Sequence, residues 1–386
     1  MTDLSFNPNI AAAPIYVGGA AIADIQKQYG VDDIIKLASN ESPLGPSPRA
    51  VAAMQAAAAN LNRYPPMGDE SLRSALAQLH GLEPDNFVTG NGGCDILNLL
   101  ATAFLTPGDE AIICRPTFPV YDNTVRRVGA QVVYVDLEPD NFSYDVEAIL
   151  AAVTGKTRLL YVCSPNNPTG STISAEQLDT LLNHLPPHVL LVMDEVYYHF
   201  AANHPDTLGY VRRGQNMVIL HSFSKAYGLA GLRLGYGIAP AEIAQYLSRA
   251  RLPFHLDSLT FAGGLAALAD IDYVDEVVRL VKEGRAWLLA QLGQLDVRVW
   301  PSQGNFILFK PPFDAAEVSE RLLRRGVISR PMTQFYLPTH LRVTVGLPAE
   351  NEKFIAALGA VLAELDAEGA SRSVAARQAS SGEFKF

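Results

Sequence analysis

Lys225 is the residue of this sequence whose surroundings point most clearly to chemistry. It ends the segment His-Ser-Phe-Ser-Lys at residues 221–225, directly after an apolar run at residues 217–220. A lysine amine attacks an aldehyde carbon only when it is neutral, and burial or a nearby cation can lower its pKa enough for that. In isolation, a Ser-x-Ser-Lys segment is more often a surface helix start, because serines commonly cap helices. The chemistry is therefore indicated only by the residues that accompany the lysine.

Three further side chains complete a set suited to a pyridine cofactor. Asp194 follows an apolar run, and its carboxylate could keep a pyridine nitrogen protonated by a charge-assisted hydrogen bond. Tyr197 could reach the ring oxygen, and Arg233, eight residues after Lys225, could bind a phosphate. Together these groups predict a site for pyridoxal 5′-phosphate, whose protonated ring withdraws electrons from the carbon that loses a proton. Alone, Asp194 would more often cap a helix and Tyr197 would more often pack in a core.

A glycine-rich turn at residues 90–95 separates a predicted strand from a predicted helix that includes residues 96–100. Such a turn lets backbone N–H groups approach an anion at the helix N-terminus. It is neither a complete G-x-G-x-x-G nor a Walker loop, so it is weak evidence alone. Asp95 would have to face away from a bound phosphate, toward N–H groups of the helix itself.

Two more polar residues could join the site from distant parts of the chain. Asn167 lies in a proline-stiffened loop at residues 163–170 and could donate to the ring oxygen together with Tyr197. Arg342 lies in a predicted late strand, and a guanidinium matches an α-carboxylate well. An arginine paired with a surface acid is an equally good interpretation of Arg342 from the residues alone.

These side chains require elements that bring them to one place. Seven short apolar runs alternate with helical patterns, at residues 87–89, 111–114, 132–135, 159–162, 189–193, 218–220 and 234–238. Runs that are apolar on both faces and separated by helices predict an α/β fold with a mostly parallel seven-stranded sheet flanked by helices. Ligands of such sheets bind beyond the carboxyl ends of the strands, which is where the candidate residues fall.

A smaller α+β domain is expected to follow the large one. A helical pattern at residues 273–292 should connect the two, and strand patterns follow at residues 297–300, 305–309 and 341–345. The predicted organisation is an N-terminal arm at residues 1–45, a large cofactor-binding domain at 46–285, a small C-terminal domain at 286–367 and a disordered tail at 368–386.

Composition narrows the class of protein. The chain has 386 residues and a formal net charge of −10, which argues against nucleic acid as the main partner. Three scattered cysteines show no metal-ligand spacing and are typical of reduced thiols in a cytoplasmic protein. The early apolar stretch contains proline and glycines, which makes it a poor signal peptide. No stretch of about 20 apolar residues predicts a membrane helix.

Taken together, these segments resemble the fold-type I pyridoxal phosphate-dependent aminotransferases of the aspartate aminotransferase superfamily, class I/II. Within that superfamily the sequence is similar to the histidinol-phosphate aminotransferase branch. The resemblance runs from about Tyr16 to about Leu365 and rests on the segments at residues 37–45, 63–65, 164–170, 194–197, 222–225, 231–236 and 341–346.

The resemblance implies a role for each matching position. The implied catalytic residues are Lys225, Asp194 and Tyr197. The implied cofactor-binding residues are Gly92, Gly93, Cys94, Phe118, Asn167, Asp194, Tyr197, Ser222, Ser224, Lys225, Arg233 and Tyr64. The implied substrate-binding residues are Arg342, Arg330, Tyr16 and Asn40. Tyr64 would reach the cofactor phosphate of a neighbouring subunit, which implies a homodimer with shared active sites.

Departures from the family pattern concern specificity. The arm at residues 16–21 lacks a lysine that the family often has, and Gly93-Cys94-Asp95 replaces a small residue followed by two acids. Before Arg342, a Gln-Phe-Tyr segment at residues 334–336 stands where the family often has a Gly-aromatic-Gly turn. We expect Gln334 and Tyr336 to lie near the substrate and to reshape its pocket.

The sequence therefore predicts a homodimeric pyridoxal phosphate-dependent aminotransferase, with histidinol phosphate and 2-oxoglutarate as the leading substrate pair. An aromatic amino acid aminotransferase and a threonine-phosphate-type decarboxylase are the alternatives, since both would use the same lysine and aspartate. A non-catalytic half of a transcription regulator is disfavoured, because it would need an added DNA-binding domain.

Overall fold

The computed structural model describes residues 5–13 and 18–372. The strands are β1 (Ile35–Lys36), β2 (Phe87–Asn91), β3 (Glu110–Arg115), β4 (Gln131–Asp136), β5 (Thr157–Cys163), β6 (Leu190–Asp194), β7 (Met217–Ser222), β8 (Leu234–Ile238), β9 (Arg298–Val299), β10 (Phe306–Lys310), β11 (Val327–Ile328), β12 (Arg330–Pro331) and β13 (Leu341–Thr344).

The helices are α1 (Pro8–Ala12), α2 (Ile22–Tyr29), α3 (Pro48–Ala58), α4 (Glu70–His80), α5 (Gly93–Phe104), α6 (Val120–Arg127), α7 (Val146–Ala151), α8 (Ala175–His184), α9 (Thr207–Arg212), α10 (Ala241–Ser248), α11 (Ser258–Leu268), α12 (Ile271–Leu292), α13 (Ala315–Arg324) and α14 (Pro348–Ala367). The helical pattern at residues 273–292 is confirmed by α12. Within the described residues, no helix is both long and apolar enough to cross a membrane.

The central sheet has seven strands in the order β2-β8-β7-β6-β5-β3-β4. β8 runs antiparallel to both of its neighbours, while the other paired strands run parallel. The prediction of a mostly parallel seven-stranded sheet is therefore confirmed, and each apolar run corresponds to one strand.

Alternate residues of the central strands face different cores, which explains why the runs are apolar throughout. In β6, Leu191 and Met193 belong to one hydrophobic cluster, and Leu190 and Val192 belong to another. A strand whose two faces are both covered has no polar face, so its sequence shows no alternation. The polar residues then appear where the strand ends, as at Asp194.

A second sheet of four antiparallel strands has the order β12-β13-β10-β9. The predicted arm also contributes to this part of the molecule, because β1 pairs in parallel with β11 and the Leu37 carbonyl accepts from Thr344 N–H at 2.8 Å. These two-residue strands were not predicted. The domain boundaries at 45, 285 and 367 remain predictions.

The beginning of the predicted disordered tail lies against the fold. Arg372 donates to Asp296 and, at 2.6 Å, to Asp366. Arg372 therefore has defined contacts, and disorder of the tail from residue 368 remains a prediction. Residues 373–386 lie outside the described residues.

Candidate active site

A cavity of about 270 Å³ lies where the carboxyl ends of the central strands meet the four-stranded sheet. The candidate residues that line it are Gly93, Cys94, Phe118, Asn167, Asp194, Tyr197, Ser222, Ser224, Lys225, Arg233, Asn40, Arg330 and Arg342. Among the described candidates, only Gly92 and Tyr64 are absent from this lining. Tyr16 lies outside the described residues.

Lys225 presents its amine to the cavity just beyond the end of β7. The Nζ atom donates to the backbone carbonyls of Asn40, at 3.1 Å, and Ser39, at 3.4 Å. Burial, and secondarily the charge of Arg342, lowers the pKa of Lys225 from 10.5 to about 8. A larger fraction of this amine is therefore neutral at physiological pH than in a surface lysine, as attack on an aldehyde requires.

Asp194 is buried at the end of β6, with 4% of its surface exposed. Its Oδ1 accepts from Val196 N–H at 3.2 Å and its Oδ2 accepts from the Tyr121 hydroxyl at 2.5 Å. Burial raises the pKa of Asp194 to about 6, and the Tyr121 hydrogen bond opposes that rise most strongly. The carboxylate is thus ionised at neutral pH but poorly solvated, which suits it to a buried cation such as a pyridinium.

Tyr121 is a site residue that sequence reasoning missed. It lies in α6, is 1% exposed and stacks on Tyr161 with a centroid distance of 5.0 Å. The signal was present, because Tyr121 follows Phe118 by three residues in the same segment and could therefore share its side of a helical turn. Its hydroxyl orients the Asp194 carboxylate.

Asn40 and Tyr197 form a hydrogen-bonded pair at the edge of the cavity. Asn40 has a φ of 54°, its Nδ2 donates to the Tyr197 hydroxyl at 3.0 Å, and its Oδ1 accepts from the Thr344 hydroxyl at 3.2 Å. Asn40 therefore positions Tyr197 in this structure. A direct contact of Asn40 with substrate remains a prediction.

Asn167 is oriented by Arg342. The Arg342 Nη1 donates to the Asn167 Oδ1, and its Nη2 donates to the Ala38 carbonyl at 2.7 Å. Because the carbonyl oxygen of Asn167 is engaged in this way, its amide nitrogen is the group that can donate to a ligand. The orientation fits the expected hydrogen bond to a cofactor ring oxygen.

The glycine turn lies beside Arg233 at the start of α5. Gly92 has a φ of 80°, which favours glycine, and a Cβ built there would displace the Arg233 guanidinium. The Asp95 carboxylate accepts from Asn91 N–H at 2.9 Å, so its partner is an N–H group at the end of β2 and not one of the helix itself, as had been expected. Ser222 and Arg233 contribute a hydroxyl and a guanidinium to the same wall. This donor set fits a phosphate group.

Arg330 and Arg342 lie directly opposite each other in the antiparallel pairing of β12 with β13. Their exposed fractions are 8% and 4%, so both guanidinium groups are largely removed from bulk water. Guanidinium groups bind carboxylate and phosphate groups well. Their shared cavity is therefore suited to a substrate that carries negative charge at two points.

Tyr336 was expected to lie near the substrate, but it lies outside the lining of this cavity. Its side chain is 42% exposed, its hydroxyl lies 3.2 Å from that of Tyr134, and it does not line the cavity. Phe335, one residue earlier, lines the cavity instead. Gln334 acts indirectly, because its Oε1 accepts from Arg330 Nη2 at 3.4 Å.

The burial of Asp194 leads to a pH-dependent prediction for the cofactor-free protein. The folded-state pKa of about 6 exceeds the ordinary 3.8, so ionised Asp194 destabilises the fold as pH rises through this interval. Asp194→Asn should increase the free energy of unfolding above pH 6 by about 3 kcal/mol relative to its effect below pH 4. Urea unfolding across this pH range measures the difference. A pH-independent effect of the substitution would contradict the assigned desolvation.

Comparison with known proteins places the chain among enzymes. Residues 32–358 match the family described as aminotransferase class I and II. The histidinol-phosphate aminotransferase of Symbiobacterium thermophilum is 43% identical over 349 residues, which cover 90% of this chain and 96% of that protein. Histidinol-phosphate aminotransferase 2 of Pseudomonas fluorescens is 42% identical over 360 residues, which cover 92% and 97% of the two chains.

Solved structures show the same architecture. The histidinol-phosphate aminotransferase of Sinorhizobium meliloti, in complex with pyridoxal-5′-phosphate, superimposes with a TM-score of 0.83 at 28% identity, covering 93% of this chain and 98% of that one. The aspartate aminotransferase of Thermus thermophilus with maleate gives a TM-score of 0.79 at 26% identity and covers 93% and 100%.

Proposed function

This chain belongs to the class I and II aminotransferase family, and on that premise we propose that it is a pyridoxal phosphate-dependent histidinol-phosphate:2-oxoglutarate aminotransferase. The observation that carries the proposal is the convergence of the Lys225 amine, the Asp194 carboxylate and two buried arginines on one cavity. Relatives of that name, 41–43% identical over 90–92% of the chain, support the choice of substrate.

Each residue of the cavity is assigned a separate role in transamination. Pyridoxal phosphate, when bound, supplies an aldehyde that condenses with amines and a protonated ring that accepts electrons from the reacting carbon. Asp194 would keep the ring nitrogen protonated, and Asn167 and Tyr197 would donate to the ring oxygen. The Lys225 amine would hold the cofactor through its aldehyde and, when released by the substrate amine, would act as the base that moves the proton from the carbon bearing that amine.

Substrate charge is recognised on the side of the four-stranded sheet. Arg342 is assigned to the α-carboxylate of glutamate or 2-oxoglutarate, and Arg330 to the phosphate of histidinol phosphate. Histidinol phosphate has no carboxylate, so the two half-reactions use the arginines differently. The opposed positions of the two guanidinium groups in β12 and β13 support this assignment.

Half-reactions with single amino donors test the proposed function. Purified holoenzyme would be mixed separately with histidinol phosphate, glutamate and phenylalanine, and the visible absorbance of its cofactor would be followed with time. We expect histidinol phosphate and glutamate to convert the cofactor much faster than phenylalanine does. Faster conversion by phenylalanine would favour the aromatic alternative, and carbon dioxide release without a keto acid would identify a decarboxylase.

Separate substitutions of the two arginines should each impair a different donor more strongly. Arg342→Gln is expected to lower kcat/KM for glutamate by roughly tenfold to a hundredfold, the typical effect of losing a charged hydrogen bond. The same change should affect histidinol phosphate less, whereas Arg330→Gln should affect histidinol phosphate more than glutamate. Each variant serves as the control for the other. Equal losses for both donors in both variants would contradict the assignment.

A homodimer with shared active sites is also part of the proposal. Tyr64 is 81% exposed and stacks on Phe254 with a centroid distance of 4.6 Å. Leu61, Met67 and Leu252 are also exposed, at 51%, 74% and 77%. Large apolar side chains exposed in two neighbouring segments are typical of an interaction surface. A second copy that covers this surface would allow Tyr64 to reach the cofactor phosphate of its partner.

Mixed dimers test whether Tyr64 acts across the subunit interface. Tyr64→Ala and Lys225→Ala subunits would be co-expressed with different tags, since each heterodimer should then contain one intact site and one doubly defective site. Random pairing should give about a quarter of the wild-type activity per subunit, because half of the dimers are heterodimers. Activity no greater than that of the two separate homodimeric variants would contradict a shared site.

We also propose a cytoplasmic location, which the cysteines support. Cys94, Cys114 and Cys163 are free thiols. Burial raises the pKa of Cys114 to about 12, so this thiol stays protonated and unreactive. Thiols that form no disulfide are typical of proteins in a reducing compartment.

A further inference from the structure

A second cavity lies between the edge of the central sheet and the four-stranded sheet. Its volume is about 430 Å³, and within residues 5–13 and 18–372 it shares no lining residue with the active-site cavity. Arg115, Arg298 and Lys310 bring three cationic side chains to its wall, and Asp136 brings one carboxylate. This interdomain crevice is therefore locally positive on a chain whose net charge is −10.

Arg115 is paired with Asp136, but the other two cations of the interdomain crevice are poorly balanced. Lys310 lies directly opposite Arg298 in the antiparallel pairing of β10 with β9, and like charges in that relation destabilise a sheet. Arg298 is 3.3 Å from the carboxylate of Asp140, which is 96% exposed, so this pairing is strongly screened by water. Among the described residues, no carboxylate lies within 4.0 Å of the Lys310 amine. An anion between Lys310 and Arg298 would relieve their repulsion.

The same positive charges affect the pKa of a neighbouring histidine, His340. His340 lines the crevice and is 9% exposed. Burial, followed by the charges of Lys310 and Arg298, lowers the pKa of His340 to about 4. His340 is thus neutral at physiological pH and adds no charge, but it adds a ring nitrogen that can donate a hydrogen bond.

Aromatic side chains form an apolar part of the same wall. The Trp300 ring lies 5.4 Å from that of Phe142 and 5.1 Å from that of His340, and the Arg298 guanidinium lies 4.6 Å from the Trp300 ring. A planar group placed against this wall would bury apolar surface while its charged end met the two cations.

We propose that the interdomain crevice is a second ligand site, which binds a small organic anion with a phosphate or carboxylate group between Lys310 and Arg298 and a planar apolar part against Trp300. The site adjoins the active-site cavity through two chain segments. In one segment, Pro116 lines the crevice and Phe118 lines the active-site cavity. In the other, Tyr336 lines the crevice and Phe335 lines the active-site cavity. A test must therefore distinguish the two sites.

Trp300 provides a direct reporter, because the chain contains only two tryptophans. Trp287 lies on α12 with 37% exposure, so Trp287→Phe holoenzyme retains Trp300 as its only tryptophan. Phenyl phosphate, benzoate and phenol would be titrated while Trp300 fluorescence is recorded. We expect a saturable change with the two anions and binding at least about tenfold weaker with uncharged phenol.

Variants of the reporter protein separate the crevice from the active site. Lys310→Gln should weaken binding of both anions by about tenfold or more, with cofactor absorbance and melting temperature retained as evidence of folding. Two control variants should leave anion binding to the crevice unchanged. They are Lys282→Gln, which alters an exposed lysine on α12, and Arg330→Gln, which alters the active-site cavity. The proposal is overturned by an absent or non-saturable response, by equal binding of phenol, by an unchanged response in Lys310→Gln, or by its loss in Arg330→Gln.

Discussion

Lys225→Ala is expected to lower kcat for transamination by at least about 10⁴-fold, because one substitution removes both the amine that holds the cofactor and the base that moves the proton. The amine lies in the cavity with a pKa lowered to about 8, and no side-chain amine replaces it there among the described lining residues. Single-turnover absorbance changes with glutamate or histidinol phosphate measure the loss. The variant should still bind pyridoxal phosphate through the groups around Gly93 and Arg233.

Two controls accompany this experiment. Lys282→Ala removes an exposed lysine from α12 and should leave the rate unchanged. A small primary amine added to Lys225→Ala should restore part of the rate, because it can take over proton transfer within the emptied space. Native turnover by Lys225→Ala would end the assignment of this lysine as the catalytic base.

Asp194→Asn is expected to lower kcat by about 10³-fold, because a neutral amide does not hold a proton on the pyridine nitrogen. The side chains are nearly identical in shape, so the amide oxygen can still accept from Val196 N–H while the amide nitrogen donates to the Tyr121 hydroxyl. The loss should therefore appear in the rate of cofactor conversion more than in cofactor affinity. Stopped-flow half-reactions and equilibrium binding of pyridoxal phosphate measure the two quantities separately.

The same substitution should stabilise the cofactor-free protein above pH 6, as argued from the raised pKa of Asp194. Opposite effects on stability and rate would show that the carboxylate is retained for chemistry at a cost in folding free energy. Asp272→Asn, an exposed change on α12, is the matched control and should alter neither. Near-native conversion by Asp194→Asn would contradict the role assigned to the carboxylate.

The parts of the fold that sequence predicted best are those fixed by local hydrophobic pattern. A strand such as β6 is apolar on both faces, which indicates burial in a covered sheet, and its first polar residue, Asp194, marks the carboxyl end. The same reasoning located Ser222 and the glycine turn, because all three follow apolar runs. Their convergence then followed from the geometry of parallel strands.

Features that depend on contacts between distant segments were not predictable in this way. β1 and β11 are two-residue strands whose pairing joins positions about 290 apart in the sequence, and β12 contains a proline, which weakens any strand pattern. Tyr336 illustrates the same limit at the level of one side chain. Its left-handed backbone, with a φ of 65°, turns it toward Tyr134 and away from the substrate cavity.

Tyr121 and the crevice cations show why register matters. The hydroxyl of Tyr121 reaches Asp194 only because α6 packs beside the central strands. Lys310 and Arg298 oppose each other only because β10 and β9 pair in one particular register. No sequence pattern specifies either relation, since each is set by tertiary packing.

One measurement tests the central claim most directly: where the cofactor is covalently attached. Holoenzyme would be treated with borohydride, which makes the bond between a lysine amine and the cofactor stable, and then digested for peptide mass analysis. We expect the pyridoxyl group on Lys225 alone, in wild-type protein and in Asp194→Asn. A modified lysine elsewhere, with Lys225 recovered unmodified, would contradict the account.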